Sequence, residues 1–243
     1  MEIANFFWDG EMSELEKNCI QSFYKNGFTV RLWSYDNLEL ENVESCNASL
    51  VLPRDFSLKQ EGNGKSERKA FLASFSDYFR YKVVGLYGGW WFDTDCFCLK
   101  NVELFTLAKE GKRIVSCKQN EDIQNIHHIG CGAFWIDKIV SKKMVLDFEE
   151  IINNLNGEVK SFGFFGPEFF TNFVKENNLY EDILPVNSFY AIHWEESDLM
   201  IYPENIDIAI DMTKDSLLTH IWTTPFGEKN IDKNNPITGS FLD

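Results

Sequence analysis

Asp93 and Asp95 stand two residues apart, directly after the apolar run Trp90-Trp91-Phe92 and its leading Gly88-Gly89. At the end of an extended segment both carboxylates of an Asp-x-Asp reach one point, while the residue between them, here Thr94, turns away. That arrangement suits a hard divalent cation. Mg2+ and Mn2+ prefer oxygen, and their sites commonly combine one or two carboxylates with phosphate oxygens of a substrate. Taken alone the motif is weak, because many such pairs are solvated turns. Carboxylates coming off an aromatic strand are harder to explain that way, since unpaired charge near a core is costly.

Other residues invite chemistry and have plainer readings. Asp77 and Arg80, three apart, could face an anionic ligand, or could be an exposed helical ion pair worth about 0.2–0.5 kcal/mol. Trp8, at the end of the first apolar segment, is either core or a stacking platform. His220 and Trp222 are either packing residues or ligand contacts, and His193-Trp194 divides the same way. His127-His128 is a poor metal pair, because adjacent side chains diverge on both strands and helices. The six cysteines (Cys19, Cys46, Cys96, Cys98, Cys117, Cys131) are scattered with no Cys-x-x-Cys. Cys96 and Cys98 fall on one side of a strand. This spacing speaks against zinc and against a disulfide framework, leaving reduced thiols.

The elements that must carry these residues read as α/β. Residues 4–8 form a first strand. Ser13 caps a helix over 14–25 closed by Asn26-Gly27, and 28–35 is a second strand. Residues 36–64 are irregular, with a flexible loop at Glu61-Gly62-Asn63-Gly64. Ser66 opens a long helix to Tyr87 with an apolar stripe of Phe71, Phe75, Phe79, Val83 and Leu86, and with Asp77 and Arg80 off that stripe. Strands follow at 90–92, 114–117 and 133–136, and a helix at 138–155. Gly166-Pro167 opens a helix to about 177, with Pro in the first turn and Glu168 favoured there by the helix dipole. Residues 184–243 read as strand and loop. Phe162 to Phe173 is core or a lobe interface. The expected organisation is a single domain over 1–243 with a small helical lobe at 138–180.

The chain has 243 residues, a net charge of −15, and 22 phenylalanines. Roughly 70–75% of its unfolded surface can be buried at this size. The acidic balance argues against a nucleic-acid partner and weakens direct attachment to anionic lipid. No apolar run approaches the roughly 18 residues of a membrane span, and the first residues carry no secretory signal pattern. A cytoplasmic protein without an integral membrane segment is expected.

Two stretches, Ser76-Asp77-Tyr78-Phe79-Arg80-Tyr81 and Leu86-Tyr87-Gly88-Gly89-Trp90-Trp91-Phe92-Asp93-Thr94-Asp95, resemble the sugar-binding region of the DXD-containing glycosyltransferases. In that family, the α-1,4-galactosyl- and N-acetylglucosaminyltransferase-like group of family 32 type, the pattern is S-D-x-x-R-Y, a spacer, then G-G-x-Y-x-D-x-D. Phe7-Trp8-Asp9-Gly10, Gly166-Pro167-Glu168, the segment 185–194 and His220-Ile221-Trp222 resemble further family elements in the same order. Trp91 and Ala191 depart from the usual Tyr and Pro. A dehalogenase-type phosphatase, which also opens on Asp-x-Asp, is excluded by Phe97 where Thr or Val is required.

The resemblance implies a GT-A type nucleotide-sugar-binding fold and a retaining transferase. It implies Mn2+ or Mg2+ as cofactor, a UDP-sugar donor and a glycan acceptor. It places metal and diphosphate at Asp93 and Asp95, with His220 as a further metal contact. Asp77 and Arg80 would face the donor, with Asp77 on sugar hydroxyls, and Arg80, Asp77 and Asp95 would be catalytic. Trp8 would stack on the base, Trp91 would stand near the sugar, and Trp222 would close over the diphosphate. A non-catalytic nucleotide-sugar or glycan binder on the same fold is the alternative. A nucleotidyl- or phosphotransferase using the same carboxylates is a third.

Overall fold

The computed structural model describes residues 1–56, 67–155, 163–227 and 229–242. The expected loop at Glu61–Gly64, the Ser66 cap, the side chain of Phe71, Phe162 and part of the expected lobe lie outside the described residues.

A mixed sheet of six strands organises the chain, in the order β3-β2-β1-β4-β7-β6. Its parallel half is β1 (Ile3–Phe7), β2 (Thr29–Ser34), β3 (Glu44–Asn47) and β4 (Trp90–Phe92). β7 (Ala133–Ile136) and β6 (Ile114–Val115) complete it antiparallel. From β1 the chain passes through α1 (Glu14–Lys25) to β2 and β3 on one side. It then returns through α2 (Glu67–Tyr87) to β4 on the other side of β1. The carboxyl ends of β1 and β4 therefore flank a topological switch point, where open α/β sheets bind ligands.

Both faces of the sheet are covered. β4 is buried at all three positions, with Trp90 and Phe92 on the α1 side and Trp91 on the α2 side. This is the period-2 alternation of a strand with two apolar neighbours. Rings fill both layers: Phe23 meets Phe92 at 4.2 Å on one face and Phe7 meets Phe79 at 4.3 Å on the other. α3 (Val102–Ala108) adds Phe105 to the α1 side. α4 (Lys138–Asn154) and α5 (Phe169–Glu176) pack on the α2 side, contributing Phe148 and Phe170. A second sheet pairs β5 (Cys96–Cys98) antiparallel with β8 (Leu218–His220).

Gly88 and Gly89 turn α2 into β4 with φ of +68° and +86°. A methyl at Gly89 would meet the Ile3 carbonyl oxygen at 2.8 Å, so the turn needs glycine twice over. Asn5, buried in β1, ties this corner together. Its amide donates to the Gly88 and Trp90 carbonyls at 2.9 Å each, and its oxygen accepts from Trp33 Nε1.

Several expectations are corrected. Ser13 occupies the N-cap position of α1 without capping it; its hydroxyl donates to the Glu16 carboxylate instead. The first-turn N–H groups of Glu14 and Leu15 go to Asn234 Oδ1 (3.1 Å) and the Lys233 carbonyl (3.0 Å), so the C-terminal segment supplies the cap. Residues 36–64 contain β3, too short and polar to register as a strand. Along the α2 stripe Phe75, Phe79 and Val83 are buried, but Leu86 is 58% exposed, and it is the next residue, Tyr87, that packs on Trp33. The middle of α2 is buried on nearly every side, Asp77 and Arg80 included, which removes the exposed ion-pair reading. Gly166 (φ −94°, ψ −113°) is the non-helical residue at the entry, and Pro167 and Glu168 lead into α5 as expected. The final third is mostly short helices, among them α6 (Asp198–Ile201) and α7 (Ile206–Thr213), rather than strand. Among the described residues no helix is long and apolar enough to cross a membrane, and all six cysteines are free.

Candidate functional site

Trp8 and Asp9 leave β1, and Asp93, Thr94 and Asp95 leave β4, at adjacent strand ends. They line a cleft of about 380 Å³, open to solvent, together with Phe7, Ala73, Ser76, Arg80, Trp91 and Thr223. This is within the lower part of the range of small-molecule sites.

Arg80, 6% exposed, is the hub of one wall. Its Nη2 lies 3.3 Å from Asp77 Oδ1 and 3.3 Å from Asp93 Oδ1. Nη1 donates to the Cys131 carbonyl at 2.9 Å, and the guanidinium sits over the Trp91 ring at 5.5 Å. Burial works against the Arg80 charge, but Asp93, Cys131 and Asp77 hold it protonated. Strand alternation puts Trp91 and Asp93 on the same face, and Trp91 Nε1 donates to Asp93 Oδ1 at 2.8 Å. Burial pushes the Asp93 carboxyl up; Arg80 and then His220 outweigh it and bring it below the usual carboxylate range. Asp77 goes the other way. Burial, with help from Asp93 and against Arg80, raises it to about 6. Asp77 stands behind Arg80, 7% exposed and packed against the Gly166 backbone. The loop over it is held by the Tyr81 hydroxyl, which lies 3.2 Å from the Phe165 and Gly166 carbonyls.

The opposite wall comes from the C-terminal third. Pairing of β5 with β8 sets His220 opposite Cys96, and Ile221 N–H donates to the Asp95 carbonyl at 2.8 Å. His220 Nε2 lies 3.3 Å from Asp95 Oδ1 and 3.9 Å from Asp93 Oδ2. Burial lowers the imidazole pKa, and the two carboxylates, Asp95 first, more than restore it. Asp95 Oδ2 accepts from both the backbone N–H and the hydroxyl of Thr223, at 3.1 Å each.

His220 Nε2 faces both carboxylates, Asp95 the nearer, and the ligand atoms of Asp95, Cys96 and His220 all lie within 4.8 Å of one another. A methyl at Gly132 would sit 3.0 Å from Asp93 Oδ2 and 3.1 Å from His220 Nε2, so glycine leaves the space between those donors open. His220 Nδ1 accepts the Trp222 N–H at 3.2 Å, which aims Nε2 at the carboxylates. Carboxylate and imidazole are both donors for a divalent cation.

Trp8, Arg80, Trp91, Asp93 and Asp95 thus share one cleft lining, with Asp77 and His220 directly behind it. Trp222 is brought near but does not line it. Its backbone is left-handed (φ +60°), its ring packs on His220 at 4.2 Å and Tyr190 at 5.3 Å, and Nε1 donates to the Ile192 carbonyl at 2.8 Å. Trp194 is 48% exposed, which removes its core-packing reading. His128 is buried with Nε2 2.9 Å from the Tyr180 hydroxyl. Sequence reasoning missed Thr223, whose only signal was its place after Trp222. It also missed Arg54, which bridges Asp9 (2.7 Å) and Asp36 (2.9 Å) at the rim beside Trp8.

No family profile matches the chain, and no curated protein matches it in sequence. Solved structures do. PaToxG glycosyltransferase aligns over 73% of this chain and 68% of its own, at 17% identity and a TM-score of 0.50. The apo form of the glycosyltransferase GlyE of Streptococcus pneumoniae TIGR4 aligns over 90% of this chain, at 10% identity and a TM-score of 0.50. This chain spans 54% of that protein. At such identities the likeness concerns architecture: the chain has the GT-A type fold of glycosyltransferases.

Proposed function

We propose that this chain is a metal-dependent, retaining glycosyltransferase of family 32 type. It moves a hexose or N-acetylhexosamine from a UDP-linked donor to a glycan acceptor in the cytoplasm. The reading is carried by one observation: His220 faces Asp93 and Asp95 beside a buried, doubly paired Arg80 at the switch point of a GT-A fold. Six free thiols suit a reducing compartment.

In this reading Trp8 stacks on the base. Asp93, Asp95 and His220 hold Mn2+ or Mg2+, which when bound neutralises charge growing on the departing diphosphate. Arg80 adds charge-assisted hydrogen bonds to that diphosphate, and its direction is set by Asp77, Asp93 and the Cys131 carbonyl. Asp77, behind Arg80, acts through it rather than on sugar hydroxyls. Among the described lining residues the carboxylates are Asp9, Asp93 and Asp95. Asp9 is paired with Arg54 and the other two face the cation site, so none is free to act as a nucleophile. Transfer then occurs on one face of the sugar. The bond from the anomeric carbon to phosphate breaks, the acceptor oxygen bonds from the same side, and its proton passes to the leaving phosphate.

A thermal-shift panel of nucleotide sugars with Mn2+ tests the reading. A donor at 100-fold its Kd stabilises by about 2.7 kcal/mol, and turnover releases a nucleoside diphosphate. Release of pyrophosphate would instead indicate a nucleotidyltransferase. Binding without turnover across the panel would favour the non-catalytic binder.

A further inference from the structure

Cys96 is fully buried, forms no disulfide, and its thiol lies 3.7 Å from the Gly132 carbonyl, a weak contact. It nevertheless stands at the most chemically loaded point of the molecule. In the β5–β8 ladder Cys96 is directly opposite His220, and directly opposed residues of an antiparallel pair project from the same face. Asp95 immediately precedes it. One ligand atom from each of Asp95, Cys96 and His220 lies within 4.8 Å of the other two. Thr223 occupies Asp95 Oδ2, which leaves Oδ1 turned toward His220 Nε2.

We propose that Asp95, Cys96 and His220 form a binding site for a thiophilic divalent cation of the Zn2+ and Cd2+ class. It overlaps the oxygen-rich site and shares two of its ligands. The chemistry separates the two modes. Asp93 with Asp95 and His220 is a set for Mn2+ or Mg2+. Exchanging Asp93 for a sulfur ligand gives one Asp, one Cys and one His, the kind of donor set that zinc takes in a tetrahedron with a fourth position open. Thiolate is the donor that selects soft and borderline ions over hard ones. On binding, the metal–sulfur bond replaces the S–H bond and the thiol proton passes to water, together with any proton on His220 Nε2. The two ions exclude one another, because both need Asp95 and His220. The chain therefore binds Zn2+ at the expense of Mn2+. This inference stands on the side-chain cluster and does not need the chain to transfer sugar.

The test is a Cd2+ titration of the full reduced chain, followed by the sulfur-to-cadmium charge-transfer absorption in the ultraviolet. Displacement of bound Mn2+ is followed in parallel by electron paramagnetic resonance. One equivalent of Cd2+ produces the band and releases Mn2+. In Cys96→Ser the band is lost, and the ratio of Cd2+ to Mn2+ affinity drops by at least about 100-fold, a ligand being worth no less than a group that orients one. Cys131→Ser, which removes the other buried thiol beside the cleft, keeps the band. No band in the unsubstituted chain, or a one-equivalent band that persists in Cys96→Ser, overturns the proposal. Should Cys96→Ser fail to fold, cadmium-113 resonance of the unsubstituted chain decides, since a shift typical of nitrogen and oxygen ligands alone overturns it. A chain that gives the cadmium band but binds no Mn2+ and no nucleotide sugar would sink the transferase reading and leave this one standing.

Discussion

On the α2 side of the cleft, Arg80 is held by Asp77, Asp93, the Cys131 carbonyl and the Trp91 face, and every one of these groups is mostly buried. On the opposite side, His220 and Thr223 belong to a three-residue strand and the left-handed turn after it, and they reach Asp95 through two hydrogen bonds from Thr223 and a 3.3 Å contact from His220. The first wall is part of the core and charged at once; the second is a strap laid against it. Buried ion pairs destabilise strongly when one partner is removed, whereas Thr223 holds Asp95 through neutral hydrogen bonds, and losing one strands no charge. The α2 wall therefore couples stability to chemistry, and the strap leaves them separable.

The most severe challenge to this contrast is Arg80→Met. It strands Asp77 and Asp93 without their shared partner, and chemical denaturation should show a loss of about 3–5 kcal/mol. A variant as stable as the parent would mean that the wall is not structural. Asp95→Asn probes the separable side. Metal-dependent turnover should fall about 100- to 1000-fold while the melting temperature stays within a few degrees, and a large drop in melting temperature would erase the distinction.

The two aspartates of the α2 wall sharpen it further, because they respond to pH in opposite senses. Asp77 has a folded-state pKa raised to about 6. Its ionised form is therefore a cost of folding that is fully present above pH 6 and relieved as pH falls toward the unfolded value near 4. Asp93 is lowered, so its contribution is stabilising above the unfolded value and lost in stronger acid. Between pH 7.5 and 4.5 the parent should gain about 2 kcal/mol relative to Asp77→Asn. Denaturation at the two pH values measures this, and an equal gap at both would mean that Asp77 is not desolvated. Trp8→Ala should weaken donor binding by about 1–3 kcal/mol with little change in kcat; an unchanged Kd from calorimetry removes the stacking role. The smallest expected effect is Thr223→Val, which deletes one hydrogen bond to Asp95 and should cost about 0.5–1.5 kcal/mol in Mn2+ affinity. Thr223→Ser should restore it, and a Val variant with parental Mn2+ affinity would show that the strap does not orient Asp95.

The contrast also separates what was legible from what was not. β1, α1, β2, α2 and β4 carry strong local signals: aromatic runs bounded by Gly pairs, a 3.6-residue stripe, an Asp-x-Asp at a strand end. Local signals suffice because parallel strands buried on both faces read as unbroken apolar runs. β3 and the final third were misread, because short polar strands and single helical turns are set by what they pack against and leave little periodicity. Leu86 shows the limit of periodicity itself, since a stripe predicts which residues share a face but not which of them the neighbouring layer covers.

For the site, the amino-acid order alone determined the pair Asp93 and Asp95, their place at a strand terminus, and Asp77 with Arg80 one helix face apart. Each is a matter of spacing within one element. Only the folded chain decided that Arg80 joins Asp77 to Asp93, that Asp77 is turned away from the cleft, and that the Trp222 ring faces the back wall. It alone set Cys96 across from His220, a juxtaposition invisible to a search for closely spaced zinc ligands. Strand pairing between remote segments creates such contacts, and register is specified where one face of a strand pair is buried, as at Cys98 and Leu218 here.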